Sequence, residues 1–190
     1  MQFNFSDTKI EGLKLITLKP LVDERGWFLK TFHAPSFATA GLSTDFPESF
    51  VSLSHRDVIR GMHFQTPPHD HAKLLRCQSG SILDVVLDLR ISSSTYGQHA
   101  AFTLDSANPQ CLYIPHGLAH GFLTLSESAT VEYHTSTAHQ PLHDAGIRWD
   151  SFGMEWGCAA PILSARDAAL PALKEFISPF TASAGNGQSA

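Results

Sequence analysis

Cysteine is scarce. Cys77, Cys111 and Cys158 are the only three in 190 residues, far apart and odd in number. No Cys-x-x-Cys pair occurs, which argues against a thiolate zinc site or a disulfide framework and leaves a reduced, cytoplasmic protein as the expectation. No apolar run reaches the roughly 18 residues that a membrane helix needs. The opening MQFNFSDTKIEGLKL lacks the basic-then-apolar order of a secretion signal. There is no P-loop and no GxGxxG after a strand, so the common phosphate and dinucleotide cradles are missing. Charge is sparse as well: 16% of residues, 13 basic against 18 acidic, for a net −5. A nucleic-acid partner, which needs a basic face, is not expected.

What the chain does have is enough apolar content, 43%, to bury a core. It also has 11 histidines, nearly as many as its lysines and arginines together. Imidazole in such excess points to proton transfer or metal binding.

Helical periodicity is rare. Short apolar runs of strand length recur at 13–22, 27–32, 50–53, 59–64, 81–90, 98–104, 110–114, 121–125 and 129–135, separated by Gly, Pro, Asn, Asp and Ser. That spacing predicts an all-β sandwich or barrel. Helices are expected only at 34–40 and 165–176. One domain is expected over 1–177, followed by a flexible Ser/Gly/Ala-rich tail at 178–190.

Two histidine-bearing segments stand out. Arg60-Gly61-Met62-His63-Phe64-Gln65 runs on through Pro67-Pro68 to His69-Asp70-His71, and Pro115-His116-Gly117-Leu118-Ala119-His120 follows much later. Together they resemble the two halves of the cupin signature, which marks a small jelly-roll β-barrel. In metal-binding cupins the His-x-His pair, a nearby Glu and the distal His are ligands. Here those places hold His69, His71 and His120, but the carboxylate's place is taken by Arg76. A permanent cation there would repel a divalent ion, so no metal is expected. The plainer alternative makes His69 and His71 solvated loop residues after a Pro-Pro turn.

A second branch of the cupin fold matches better. The strings are Asp23-Glu24-Arg25-Gly26, the Arg60 to Gln65 run, Lys73-Leu74-Leu75-Arg76, Asp84-Val85-Val86-Leu87-Asp88-Leu89-Arg90, Ile114-Pro115 through Leu123, Gly146-Ile147-Arg148-Trp149-Asp150, and Pro161 through Asp167. Each alone is weak, but their order and spacing are specific. From about residue 19 to 173 the chain resembles the dTDP-4-dehydrorhamnose 3,5-epimerase family of deoxysugar biosynthesis.

The resemblance implies a cofactor-independent epimerase of a nucleotide-linked 4-keto-6-deoxy sugar. The ketone acidifies the C–H bonds at C3 and C5. Epimerisation at either carbon needs a base, an acid across the ring and a cation for the enolate. By resemblance His63 is the base, Asp167 its carboxylate partner, Tyr133 the general acid and Lys73 the cation beside the sugar oxygen. Arg25 and Arg60 match residues that hold the diphosphate, where guanidinium forks suit phosphate oxygens. His120, Asp144 and Arg166 fall at further substrate positions. Asp167 also reads as a helix N-terminal residue placed for the dipole, and Tyr133 as an aromatic of the core. In the family the Arg25 segment reaches into a neighbouring subunit's site, which implies a homodimer with exchanged N-terminal strands.

The chain departs from the family pattern where the nucleotide base is gripped. A family Glu becomes Lys30, Gln-Asp-Asn becomes Ser52-Leu53-Ser54, and an aromatic pair becomes Ala138-His139. Polar mismatches of this kind cost about 1–3 kcal/mol each when buried. GDP- or CDP-linked sugars therefore join dTDP as candidate carriers, and action at C3, at C5 or at both stays open. A ketoisomerase, a metal-dependent cupin and a non-catalytic sugar-binding cupin are the alternatives of other kinds.

Overall fold

A computed structural model describes residues 2–181. Thirteen strands carry it: β1 (Phe3–Asp7), β2 (Lys14–Leu18), β3 (Leu21–Asp23), β4 (Gly26–Phe28), β5 (Glu48–His55), β6 (Ile59–Gln65), β7 (Lys73–Ser79), β8 (Ser81–Asp88), β9 (His99–Asp105), β10 (Gln110–Ile114), β11 (Leu118–Thr124), β12 (Ser128–Thr135) and β13 (Asp144–Gly146). Helix α1 (Ala34–Thr39) and the single turn α2 (Ala165–Ala168) complete it, with a 3-10 turn at Leu173–Glu175. A six-stranded sheet, β1-β2-β10-β7-β12-β5, faces a five-stranded sheet, β13-β6-β11-β8-β9. This is the cupin-like jelly roll that the strand spacing and motifs implied.

Strand β8 shows why the pattern reads as nearly continuous apolar sequence. Ile82 and Val86 face the space between the sheets, where Leu75, Leu112, Phe122 and Val131 meet them. Val85 and Leu87 point outward under Trp156, Phe180 and other residues of the C-terminal segment. The other sheet is covered on its outside by α1, whose Phe37 is fully buried against Phe3 and Leu74. With both faces covered, the central strands lose the alternation of a half-exposed strand.

Several boundaries differ from the sequence reading. The run at 13–22 divides into β2 and β3 at Lys19-Pro20, since proline cannot donate to a ladder. The stretch at 27–32 keeps strand pairing only in β4. The helix expected at 165–176 stops after one turn, because Pro171 disfavours helical geometry in the residue before it. Strands β1, β7 and β13 were not foreseen; β7 carries Lys73 and Arg76, which masked its apolar pattern. Within 178–181, Phe180 is buried and Ser178 Oγ donates to the Leu89 carbonyl. The rest of the expected tail, 182–190, lies outside the described residues. No described helix is long and apolar enough to cross a membrane.

Two glycines let the site form. A Cβ on Gly61, at φ +121°, would lie 2.5 Å from the Gly121 Cα, and one on Gly121 would lie 2.7 Å from the Arg60 carbonyl oxygen. β6 and β11 thus approach at a point only glycine permits. A register shift between His120 and Phe122 leaves His120 directly opposite His63.

Candidate active site

Along the inward faces of the strands, the side chains turn from apolar to polar toward one end of the barrel. Cys77 and Leu75 give way to Lys73, Val131 to Tyr133 and Thr135, and Phe122 to His120. This polar end encloses a cavity of about 430 Å³, with His63, Lys73, His120, Tyr133, Arg60, Ser52, Asp144 and Arg166 among its walls.

His63 is held from behind. Its Nε2 lies 2.6 Å from Asp167 Oδ1, while Asp167 Oδ2 accepts the Gly61 N–H at 3.3 Å. Ser164 fixes the carboxylate's position by capping α2: its Oγ accepts the Asp167 N–H at 3.0 Å. Asp167 is therefore both a first-turn helix residue and the histidine's partner. Burial alone would raise its carboxyl pKa, but the His63 hydrogen bond, the imidazole's charge, the Gly61 N–H and Arg166 together hold it below the ordinary value. An ionised carboxylate only accepts, so the hydrogen-bond network assigns the His63 proton to Nε2 and leaves a lone pair on Nδ1.

Lys73 belongs to the opposite sheet and reaches across to donate to the His63 carbonyl oxygen at 3.0 Å. It is buried, and burial pushes its ammonium down to about 8, with Asp144 and Asp84 resisting and Arg166 assisting. Tyr133 stands on the same sheet as Lys73. Its ring stacks on Phe50 at 4.7 Å and meets the edge of His120 at 5.9 Å. Burial pushes its phenol well up, so it stays protonated. His120 is fixed by Asp84, 2.8 Å away and fully buried. Burial lowers the imidazole's pKa and raises the carboxyl's.

At the rim, Arg60 donates from Nε to Ser54 Oγ at 2.8 Å and from Nη2 to the Leu53 carbonyl at 3.2 Å. Ser52 lines the cavity, whereas Ser54 is buried behind it and engaged with Arg60. Asp144 and Arg166 pair at 2.8 Å. Two predicted residues are not brought in: Arg25 sits at the exposed tip of the β3-β4 hairpin, paired with Asp23, and Lys30 is also away from the cavity wall of its own chain. The physical reason is local, for the hairpin buries none of its strand residues and the Arg25 guanidinium is turned back onto Asp23.

The cupin-like histidines do not form a ligand set, although His71 and His120 both line the cavity. His69 packs on His143, His71 bonds to Gln65, and His120 bonds to Asp84. Among the described residues no group of three or more His, Cys, Asp or Glu is placed to hold a metal ion. Sequence reasoning missed Asp84, Glu48, Phe50 and Gln65 as parts of the site. Only the position of Asp84 inside an apolar strand was a usable signal, because a buried carboxylate demands a partner.

The sequence profile of the family described as dTDP-4-dehydrorhamnose 3,5-epimerase matches residues 7–175. The chain belongs to this family. It is 39% identical over 157 residues to the dTDP-4-dehydrorhamnose 3,5-epimerase of Methanothermobacter thermautotrophicus, covering 82% of this chain and 84% of that one. It is 36% identical over 161 residues to the dTDP-4-dehydrorhamnose 3-epimerase of Streptomyces niveus, covering 83% and 78%. The crystal structure of the Bacillus anthracis 3,5-epimerase with TDP and pyrophosphate bound superposes with a TM-score of 0.88 at 33% identity, covering 90% of this chain and 99% of that one. The chain is thus an isomerase of the carbohydrate-epimerase class, and its substrates are nucleotide-linked 4-keto-6-deoxy sugars.

Proposed function

We propose that the protein epimerises a dTDP-linked 4-keto-6-deoxyhexose at C3 and then at C5, without a cofactor, in the cytoplasm. One observation carries this reading: His63 and Tyr133 stand on facing sheets, with buried Lys73 crossing between them. His63 Nδ1 takes the proton alpha to the ketone. The enolate charge gathers on the C4 oxygen beside the Lys73 ammonium, and Tyr133 returns a proton to the opposite face. Asp167 stabilises the imidazolium that forms, and before the second carbon is worked His63 must release its proton to solvent and Tyr133 must regain one.

Arg60, Asp144, Arg166 and His120 hold the sugar diphosphate in this reading, and Ser52 and Ser54 border the nucleotide. The relatives' names support dTDP over the GDP and CDP carriers that the departures at Lys30, Ser52 and Ser54 left open. They divide between 3,5- and 3-epimerases, so the number of carbons worked is the point to measure. The test is turnover in deuterated water on dTDP-, GDP- and CDP-linked 4-keto sugars, with mass gain read per molecule. Two deuteriums on the dTDP sugar alone are expected. Tyr133→Phe is expected to incorporate deuterium without inverting the carbon. A single deuterium would restrict the enzyme to one carbon, and a faster GDP or CDP substrate would reassign the carrier.

We also propose a homodimer with exchanged hairpins. Val22, Trp27 and Phe28 on β3 and β4 are exposed, as are Phe50, Val51 and Leu53 on the edge strand β5. Such a set is costly to leave in water and invites pairing. Exchange would also carry Arg25, and Lys30 behind it, toward a partner's cavity. Sedimentation should give about twice the chain mass, and Trp27→Glu should shift it toward the monomer with loss of turnover. A wild-type monomer that is fully active would end this proposal.

A further inference from the structure

His71 lines the same cavity as His63 and Lys73, and its protonation pattern is fixed by its neighbours. The Gln65 amide is oriented from two sides: its Oε1 accepts the Gln140 backbone N–H at 2.5 Å, and its Nε2 donates to the His69 carbonyl at 2.7 Å. A backbone N–H and a carbonyl cannot exchange roles, so the amide cannot be flipped. The same Gln65 Nε2 lies 3.0 Å from His71 Nδ1. An amide NH₂ only donates, so His71 Nδ1 accepts and carries no proton.

Burial pushes the His71 imidazole down to about 3, and the charges of Lys73, His116, His139 and His120 push the same way. The ring is therefore neutral near pH 7, and its single proton is on Nε2. That atom is buried and has no hydrogen-bond partner in the protein. A buried donor without an acceptor is rare in a folded protein, and here it belongs to a residue on the wall of a substrate cavity.

We propose that His71 is a specificity-determining residue that donates its Nε2–H to a neutral oxygen of the substrate's hexose. The neighbours select the hexose over the diphosphate. His71 stands beside Lys73, which is bonded to the His63 backbone, whereas the guanidinium groups suited to phosphate belong to Arg60 and Arg166. The assignment rests on the sugar being seated at His63, as the proposed function has it. Because the donor is neutral, it selects for an oxygen at that position of the sugar and adds no charge at the enolate.

The test compares affinity for dTDP alone with affinity for the dTDP-4-keto-6-deoxy sugar, by calorimetry, in wild type, His71→Phe and His71→Gln. His71→Phe is expected to weaken the sugar nucleotide by roughly tenfold, the worth of one neutral hydrogen bond, and to leave dTDP unchanged. His71→Gln, which restores a donor, is expected to recover most of the loss. Equal losses for dTDP and the sugar nucleotide, or no loss for either, would overturn the assignment. Nitrogen-15 NMR of the wild type tests the same point without a substitution. A His71 proton on Nε2 whose resonance moves with the sugar nucleotide but not with dTDP is expected, and a proton on Nδ1 would overturn it. Failure of the wild type to exchange deuterium would instead overturn the proposed function, so the two failures are distinguishable.

Discussion

His63→Ala is expected to lower kcat by 10²- to 10⁴-fold, the usual worth of a positioned general base, or about 3–5 kcal/mol of transition-state free energy. The geometry makes the loss specific. His63 Nε2 is committed to Asp167 at 2.6 Å, which leaves Nδ1 as the basic atom; His120 is engaged by a fully buried Asp84, and the Nδ1 lone pair of His71 is taken by Gln65. Deuterium uptake from solvent should fall with turnover, since abstraction itself is removed. Asp167 then keeps its Gly61 contact but loses its main partner, so a few degrees in melting temperature should go with it. Asp167→Asn separates the two effects: the shape is kept, the charge that stabilises imidazolium is gone, and kcat should fall with KM near wild type. Deuterium uptake at the wild-type rate in His63→Ala would remove His63 from the mechanism.

Lys73→Met is expected to lower kcat by about 10²- to 10³-fold, as loss of a preorganised group at a developing oxyanion does. Methionine keeps the length and apolar stem, so the barrel should remain folded. The wild-type pH profile provides an independent check. Burial holds the Lys73 ammonium near 8, against an ordinary 10.5, and in the proposed mechanism only the protonated form stabilises the enolate. kcat/KM should therefore fall about tenfold per pH unit above 8, and the limb should vanish in Lys73→Met. Unfolding would not explain that limb. Between about 8 and 10.5 the native lysine is already neutral while the unfolded one still binds a proton, so this residue's contribution to stability rises with pH there. A flat profile from pH 7 to 10 would show that the cation is not required.

How far the sequence carried these conclusions depends on the distance over which each interaction acts. The string around His63 and the spacing of the strands were legible because pleat alternation and turn residues are local. The end of the last helix was misplaced because Pro171 acts against the apolar pattern around it. β7 was overlooked because its Lys73 and Arg76 look like surface charges, yet Lys73 is buried and Arg76 pairs with Glu132 at 2.7 Å on the neighbouring strand. Asp84 looked like a polar interruption of an apolar strand, and only the strand register of β8 against β11 places its carboxylate beside His120.

The histidine excess divides along the same line. Composition pointed to proton transfer or metal, and the order of motifs singled out His63, Tyr133, Asp167 and Lys73. The first inference needs only residue type, and the second follows from the resemblance to the epimerase family. Which nitrogen of each imidazole is occupied could not follow from sequence. His63 depends on a carboxylate 104 positions away, His120 on one 36 away, and His71 on an amide whose orientation is set by Gln140 from a separate loop. Protonation is decided by burial and by partners brought together across the barrel. The chain by itself therefore determined the fold class and the kind of chemistry, while the packing of two sheets decided which atoms are free to perform it.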